Sequence, residues 1–467
     1  MAASLLSYVL PGLGQLVMGR GRRGLLYLVP SMLGLGWLGL QLGQGLAWSG
    51  LSLLDNSFVV ALTVVVAFLG IWRIAAVGDA FLVAPGRRRW PKLETAMVAL
   101  LVFSIAATHL VVIAGAWTVY ETGNAINNND MLSNSSLDGG SPVPGSPSPT
   151  PTATATTTAT SAPTTQDTSA FAPYASVGPS LTPTPSYPTN PDRITFLLIG
   201  VDFMTGRNHA LTDTMILATL DVHTNKATLI SVPRDTSNFD LYYGGWVGPQ
   251  FKLNQLMEAA SSPSFGSPDS GVETLVKEVA FLVGMPIDYY AAVDLQGFVN
   301  MVQAMGGVDV NVTTAVNDPS TGTFVPVGLI HMDGHLALKY ARSRESTSDY
   351  ARSGRQQDLL VALARKVASA AIVPQLPTLL SLAGTTLSTD FPLKYARNFV
   401  SAFRRVGTPT ECVLGPPYSY HPDSSTTGGS WTSRLDINRV AGLSVYLFGA
   451  ESLYANRPGV VPAPCAS

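Results

Sequence analysis

Three apolar stretches near the amino terminus limit the fold more than any other feature of the sequence. They cover Gly24–Trp48, Ser57–Ala84 and Glu94–Tyr120, and about 20 apolar residues are enough for a helix to cross a bilayer. Helices of globular domains average about 10–14 residues, so buried globular helices are a poorer interpretation. Only 12% of the 467 residues are charged. We therefore predict a membrane region at residues 1–120 with three transmembrane helices.

Two charged side chains lie within the second stretch, Arg73 and Asp79, close to its end. A charge at membrane depth is costly, so these two residues should snorkel to the interface or face a neighbouring helix. The opening segment LLSYVLPGLGQLVMGR is too short, and too broken by proline and glycine, to span alone. It is predicted to be re-entrant or interfacial.

The basic residues of the short connections predict the orientation. Arginines precede the first stretch and a basic cluster separates the second from the third, whereas residues 51–56 contain neither lysine nor arginine. Because positive loops stay in the cytoplasm, the amino terminus is predicted to be cytoplasmic. The chain after the third helix is predicted to be extracytoplasmic, in a multi-pass protein of the cell membrane.

This orientation gives a first testable prediction. A reporter fused after Gln166 should be extracytoplasmic, and one fused after Arg88 should be cytoplasmic. The measurement is the activity of a reporter pair that works on opposite sides of the membrane. Finding both fusion points on one side would refute the three-span topology.

The segment 121–190 contains no lysine, arginine or histidine and is rich in proline, threonine and serine. Such a composition cannot build an apolar core, so we predict a disordered extracellular stalk. Residues 191–410 are predicted to form a folded outer domain, and residues 411–467 its C-terminal extension.

The outer domain mixes both kinds of secondary structure. Strand-like apolar runs lie at 194–200, 214–222 and 226–232, with an edge strand at 312–316. Helical spacing is found at 269–285, 295–307 and 355–371. Together they predict an α/β fold, a three-layer mixed β-sheet flanked by helices, on the N-terminal multi-span transmembrane region.

The C-terminal extension, residues 411–467, contains few sequence patterns that predict its structure. Cys412 and Cys465 both face an oxidising space in this topology, which favours a disulfide that holds the tail. Two unpaired thiols remain the alternative, because spacing alone does not fix pairing. Residues 418–431 are predicted to form a polar loop.

Several function classes have no support. The chain has no G-x-x-x-x-G-K-[ST] or G-x-S-x-G motif. His331 and His335 lack the glutamate and the uninterrupted helix that would favour a zinc site. A net charge of −2 gives no general field that attracts nucleic acid.

A strand-like run at 227–232 ends at Pro233 and is followed by Arg234 and Asp235. Ligands of open α/β sheets bind at the carboxyl ends of strands, so this pair is a candidate site. A surface turn with a local ion pair is the alternative.

An arginine cluster follows in KYARSRESTSDYARSGRQQDLL, with Arg342, Arg344, Arg352 and Arg355 close together. Arg342 and Arg344 have strand spacing and would project to one face of an extended segment. Guanidinium groups suit phosphate oxygens, so the cluster predicts an anion. The alternative is a solvated basic loop in which acidic residues such as Asp349 neutralise the arginines.

Two carboxylates lie beside predicted strands, Asp202 in LLIGVD and Asp213 in LTDTM. Mg²⁺ binds a few carboxylates together with phosphate oxygens. Their presence beside an arginine-rich phosphate site predicts Mg²⁺ as the cofactor.

These motifs occur in a characteristic order. FLLIGVD, LTDTMIL, LISVPRDT, FKLNQLMEA, VDLQGFVNMVQAMGGVDV, MDGHLALKYARSR and DYARSGRQQ follow one another over about residues 194–370. In this order they resemble the LytR-CpsA-Psr family.

The resemblance implies an extracytoplasmic transferase. Such enzymes move a glycopolymer from a polyprenyl-pyrophosphate carrier to peptidoglycan or another cell-wall acceptor, and their mixed sheet encloses an apolar tunnel for the lipid. A hydrolase that releases the polymer is a second interpretation. A membrane protein that binds the lipid carrier and regulates without turnover is the third.

The resemblance also implies residue roles. Asp202 and Asp213 would hold Mg²⁺, and Arg234, Arg342, Arg344 and Asp235 would be catalytic, with Asp235 orienting Arg234 rather than acting as a base. The residues implied to bind pyrophosphate are Arg234, Arg342, Arg344, Arg352, Arg355, Lys252 and Gln356, or Gln357 if the match slips by one position.

The chain departs from the family in two places. Many members have arginine where this chain has Leu211, so either Arg207 or His209 reaches the phosphate or the clamp is weaker. The membrane region is also larger than the usual single anchor. Its opening segment resembles small membrane modules with a P-G-x-G-Q pattern.

Overall fold

The computed structural model describes residues 2–43, 46–82, 92–127, 193–202, 211–344, 349–369, 375–422 and 431–465. The stalk beyond Asn127 and the two loop residues Arg207 and His209 lie outside this range. The chain divides into two compact units. One comprises Met1–Asn128, Ala364–Gly384 and Pro392–Arg404, and the other the remaining residues. The predicted domain boundaries stay predictions.

The helices are α1 Ala2–Val9, α2 Leu13–Val17, α3 Gly21–Gly43, α4 Leu46–Ser52, α5 Asn56–Leu82, α6 Lys92–Asn127, α7 Leu256–Ala260, α8 Gly271–Val283, α9 Leu295–Ala304, α10 Gly334–Arg342, α11 Asp349–Ala368, α12 Leu376–Thr386, α13 Ala396–Phe403 and α14 Ile437–Phe448. The strands are β1 Arg193–Asp202, β2 Leu211–Asp221, β3 Lys226–Ser231, β4 Ser237–Asp240, β5 Trp246–Lys252, β6 Tyr289–Asp294, β7 Val308–Val312, β8 Val316–Asp318, β9 Thr323–Val325, β10 Gly328–Met332, β11 Leu387–Thr389, β12 Thr410–Val413, β13 Ser419–Tyr420 and β14 Arg434–Leu435.

Helices α3, α5 and α6 are long and apolar enough to cross a membrane, in agreement with the three predicted stretches; the number of membrane crossings stays a prediction. The first ends at Gly43, earlier than predicted. The third continues past Tyr120 to Asn127, since no proline interrupts that extension. Their orientation in the membrane stays a prediction.

The opening segment forms two short helices that pack on α5. The side chain of Gln15 donates to the carbonyl of Ala76 (2.8 Å) and to Asp79 (3.1 Å). It also accepts a hydrogen bond from the hydroxyl of Ser7 (2.9 Å). The glutamine of the P-G-x-G-Q pattern therefore attaches α2 to the apolar helix α5.

Both charges of α5 face neighbouring helices, as one of the two predicted arrangements required. Arg73 Nε donates to the carbonyl of Tyr8 at 2.6 Å, near the carboxyl end of α1, where a cation is favourable. Asp79 forms an ion pair with Arg23 at 3.2 Å. These contacts compensate for placing charge in an apolar helix.

The second unit is built on a six-stranded sheet of order β11-β6-β1-β2-β3-β12. Strand β1 is antiparallel to β2 and parallel to β6, and β12 is parallel to β3. The sheet is therefore mixed, as predicted. The edge strand expected at 312–316 is wrong: β7 ends at Val312 and pairs with β10 in a separate two-stranded sheet.

The alternation of β1 separates the two faces of the sheet. Leu197 and Ile199 pack in one core with residues of α8 and α14, whereas Leu198 packs on the other face with residues of α11. Helices thus cover both faces, which confirms the three-layer α/β fold.

Two elements of the arginine-rich segment differ from expectation. Arg342 is the last residue of α10 and does not lie in an extended segment, because Asp333 caps that helix through the amide of Leu336 (2.8 Å). Helix α11 begins at Asp349, earlier than the predicted 355, so Arg352 is also helical.

The tail is an integral part of the fold. Strand β12 extends the central sheet, and α14 lies in the core with α8. Cys412 and Cys465 form a disulfide with a Cα–Cα distance of 5.9 Å, as predicted. The predicted polar loop is wrong at its beginning, because Ser419–Tyr420 forms β13 and Tyr418 is buried. Residues 423–430 lie outside the described range.

Candidate active site

The two predicted metal carboxylates lie at adjoining strand ends. Asp202 is the last residue of β1. The register shifts from Gly200↔Thr214 to Val201↔Thr212, which leaves Asp213 as the extra residue of a β-bulge in β2. Bulges redirect side chains and are frequent beside active sites. The bulge thus explains how a strand residue presents its carboxylate at the sheet edge.

Arg234 follows β3 and Pro233 and is paired with the bulged carboxylate. Its guanidinium donates to Asp213, and its Nε lies 3.7 Å from Asp235. Burial acts to lower the pKa of Arg234, but Asp213 and Asp235 outweigh burial and raise it above its ordinary value. Arg234 is therefore a permanent, oriented cation.

Asp235 is buried and forms a 2.7 Å ion pair with Lys252 Nζ. The backbone fixes this pair, since the amide of Leu253 donates to the carbonyl of Thr236 (2.8 Å) and that of Asn254 to the carbonyl of Arg234 (3.1 Å). Because cations engage Asp235 on two sides, this geometry favours an orienting role over that of a base.

Arg342 reaches the other carboxylate, donating to Asp202 at 3.4 Å. The turn after it is held by Asp318, which accepts from the hydroxyl of Ser343 (2.8 Å) and the amide of Arg344 (3.1 Å). The Arg344 side chain is 52% exposed and lies 3.4 Å from Asp349. Arg344 is thus the most exposed guanidinium of the group, ahead of Arg342 at 40%.

Arg352 is buried in the first turns of α11 and donates to Asp349 at 3.0 Å. Burial lowers its pKa to about 10, so the group stays protonated near neutral pH. Within the described part of the chain, the buried Nε atoms of Arg352 and Arg234 have no hydrogen-bond acceptor. A buried donor of this kind is costly unless a ligand satisfies it.

The remaining predicted residues lie deeper along α11. Arg355 is buried and donates to the carbonyls of Tyr340 (3.2 Å) and Ser343, so these contacts position the turn that carries Arg344. Gln356 donates to the carbonyl of Ala341 (3.3 Å). Gln357 bonds to the sheet, donating to the carbonyl of Cys412 (2.7 Å).

The cluster contains two further carboxylates; the alternative interpretation of the sequence named Asp349 as a residue that neutralises the arginines, and Asp318 was not predicted. Asp349 pairs with two arginines, and Asp318 holds the turn between α10 and α11. Asp349 lies inside the DYARSGRQQ motif, so its motif position was the available signal. No sequence signal pointed to Asp318, because its contacts depend on how β8 and α10 are arranged.

The donor set fits Mg²⁺ bound together with a substrate. No group of three His, Cys, Asp or Glu side chains suited to a metal occurs among the described residues, so an all-protein cage is not expected there. Asp202 and Asp213 supply two carboxylates, each paired with an arginine. Mg²⁺ usually takes one or two carboxylates and completes its shell with waters and phosphate oxygens.

An apolar cavity of about 230 Å³ opens between the sheet and α9–α11. Its lining includes Leu198, Ile216 and Leu360, and it reaches Ala341 and Gln356 beside Arg342. This volume is below the roughly 300–1,000 Å³ typical of small-molecule pockets. The cavity is therefore smaller than the expected tunnel and has room for only a short apolar segment.

A profile of the LytR_cpsA_psr family matches residues 152–411, more than half of the chain. The polyisoprenyl-teichoic acid–peptidoglycan teichoic acid transferase TagV of Bacillus subtilis is 28% identical over 248 residues, which are 49% of this chain and 60% of TagV. The cell wall biosynthesis protein LcpA of Corynebacterium glutamicum is 34% identical over 34% of this chain and 33% of LcpA.

The transferase TagU of Oceanobacillus iheyensis is 32% identical over 43% of this chain and 60% of TagU. The chain thus spans less than two thirds of each of these relatives. The crystal structure of B. subtilis TagV covers 55% of this chain and 96% of its own, with 21% identity and a TM-score of 0.43.

Proposed function

Because the chain belongs to the LytR-CpsA-Psr family, we propose that it is an Mg²⁺-dependent phosphotransferase anchored in the cell membrane. It would move a glycopolymer from a polyprenyl-pyrophosphate carrier to a cell-wall acceptor such as peptidoglycan. Named relatives are teichoic acid transferases that act on peptidoglycan. The site would lie on the extracytoplasmic side.

One observation carries this proposal. Arg234 and Arg352 have buried guanidinium donors without acceptors in the described structure. The lining of the apolar cavity includes Gln356, one helical turn from Arg352, and Thr214, which follows the Asp213 partner of Arg234. An anion joined to an apolar chain fits both features. A polyprenyl pyrophosphate has this construction, with a diphosphate for the arginines and a prenyl segment for the cavity.

In the proposed reaction, an acceptor hydroxyl attacks the phosphorus that carries the sugar. The bond from this phosphorus to the oxygen bridging the two phosphates breaks, polyprenyl phosphate leaves, and the hydroxyl proton passes to solvent. Arg234 and Arg342 would bind the diphosphate oxygens, and Lys252 would keep Asp235 oriented towards Arg234. Bound Mg²⁺ would supply further charge neutralisation on the leaving phosphate.

The test is transfer by the full chain in proteoliposomes with Mg²⁺, a lipid-linked oligosaccharide and an acceptor glycan. Glycan should appear on the acceptor with an equal amount of polyprenyl phosphate. Leu360→Trp, which fills the cavity, should lower kcat/KM at least about tenfold by removing lipid burial. Leu329→Trp, at a site 74% exposed, is the matched control and should not change it.

The same assay separates the alternatives. Release of free glycan at the same rate without acceptor would establish a hydrolase. Binding of the lipid without any product would favour a regulatory protein. Equal activity of Leu360→Trp and Leu329→Trp would exclude the cavity as the lipid site.

A further inference from the structure

Three aromatic rings form a cluster at the amino-terminal end of α11. The hydroxyl of Tyr350 lies 3.0 Å from His421 Nε2, and the ring centroids of these residues are 5.9 Å apart. The Trp431 ring lies 4.2 Å from the His421 ring. We name Tyr350, His421 and Trp431 the aromatic platform. Two of its three members lie outside the part of the chain that matches the family.

Backbone hydrogen bonds attach the platform to the arginine cluster. The amide of Ser433 donates to the carbonyl of Asp235 (2.9 Å), and that of Ser237 donates to the carbonyl of Ser433 (2.9 Å). Trp431 is therefore two residues from a segment paired with the Arg234–Asp235 turn. On the other side, Tyr350 follows Asp349, the partner of Arg352.

The platform is held in place although it is open to solvent. Tyr350 also contacts the hydroxyl of Ser419 (3.2 Å), and His421 Nδ1 lies 2.8 Å from the carbonyl of Thr432. The Trp431 side chain is nevertheless 49% exposed. An exposed indole in a fixed ring stack contributes little to the core, and exposed apolar surface of this kind marks binding sites.

The order of side chains along α11 indicates what the platform faces. From the platform the helix passes Tyr350, then Arg352, then Gln356, and then Leu360 in the apolar cavity. Tyr350 and Gln356 are separated by about 9 Å along the axis. Residues two apart do not face each other on a helix, so the link to the arginines comes from Ser433, whose amide donates to the carbonyl of Asp235 (2.9 Å). A lipid in the cavity with its phosphates at the arginines would thus place the group beyond the phosphates near Trp431.

We propose that the aromatic platform is a sugar-binding subsite for the pyranose ring attached to the carrier's diphosphate. This inference rests on the proposed function. The C–H groups of a pyranose face carry partial positive charge and suit the electron-rich face of an indole. Both nitrogens of the His421 ring already have partners, the Tyr350 hydroxyl and the Thr432 carbonyl, so the indole N–H of Trp431 supplies the hydrogen-bond donor at the ring edge.

The test is equilibrium binding to the full chain in nanodiscs without acceptor. The probes are a polyprenyl pyrophosphoryl disaccharide and the same polyprenyl pyrophosphate without sugar. Trp431→Ala should weaken binding of the sugar-bearing lipid about tenfold and leave the sugar-free lipid unchanged. Trp431→Phe keeps an aromatic face and should retain most of the affinity.

The matched control is Trp246→Ala, which removes an indole 58% exposed at the far end of the β4–β5 hairpin and should change neither affinity. An equal loss for both lipids, or no loss for either, would overturn the subsite. If Trp431→Ala leaves the binding of both lipids unchanged and, in the transfer assay, only raises the KM for a soluble peptidoglycan fragment, the platform takes the acceptor and the proposal is wrong. Platform-dependent binding without any transfer would reject the transferase function alone, whereas wild-type protein that binds neither lipid would overturn both proposals.

Discussion

Replacing Asp213 with asparagine is expected to remove nearly all Mg²⁺-dependent transfer while the fold survives. The substitution keeps the size of the side chain but removes a charge that we propose to bind Mg²⁺ and the charged partner of Arg234. Loss of one preorganised electrostatic group costs about 10²–10³ in rate, so we expect at least about a 100-fold drop in kcat. Rates measured across a Mg²⁺ titration are the readout.

The bulge makes this expectation specific. Asp213 has no cross-strand partner in the β1–β2 ladder, so its side chain can change without breaking that pairing. Asp202→Asn should act in the same direction. Asp309→Asn is the control, because its carboxylate is 57% exposed and lies on β7 next to His331. Full transfer activity of Asp213→Asn, or unchanged transfer activity in the presence of a chelator, would refute the assignment of Asp202 and Asp213 as Mg²⁺ ligands.

The double substitution Cys412→Ser/Cys465→Ser is expected to lower the free energy of unfolding by about 4 kcal/mol. The bond closes a loop with a sequence separation of 53, and the loop-closure entropy of such a cross-link amounts to about 4 kcal/mol. Denaturant unfolding of the detergent-solubilised chain, with and without reductant, measures the difference.

The comparison has an internal control. Reductant should destabilise the wild-type chain to the level of the double variant and should leave the variant itself unchanged. Two free thiols on labelling of the unreduced, unfolded wild-type chain would show that the bond does not form. A difference below about 1 kcal/mol would mean that the reduced tail keeps its native contacts.

Strands β1 to β3 and helices α8 and α9 were predictable because their signals are local. The apolar run ITFLLIG predicts a strand from a few neighbouring residues. The helix Gly271–Val283 is likewise predicted by its own apolar periodicity and by the capping box at Ser270. The order of strands was not predictable in the same way. Pairing of β12 with β3 joins segments far apart in the sequence, and local periodicity carries no information about such partners.

The same distinction between local signals and distant partners applies to the candidate site. The motifs predicted one site that contains Asp202, Asp213, Arg234 and Arg342. In the structure each of the two carboxylates forms an ion pair with one of the two arginines. The bulge at Asp213 was missed, because a one-residue register shift leaves no mark in a single strand's sequence. The contact between Tyr350 and His421 spans 71 positions and appears only once the tail has folded onto the sheet.

The hydrogen bonds between Ser433 and the segment that follows Arg234 also bear on the biogenesis of the protein. If the outer unit is exported as the topology predicts, the Arg234 turn leaves the translocon long before the segment that braces it. A partly exported chain would therefore have its arginines and carboxylates outside the membrane without the support that orders them. Such a chain has no assembled site, so a truncated or stalled product would not consume lipid carrier before the tail had crossed the membrane.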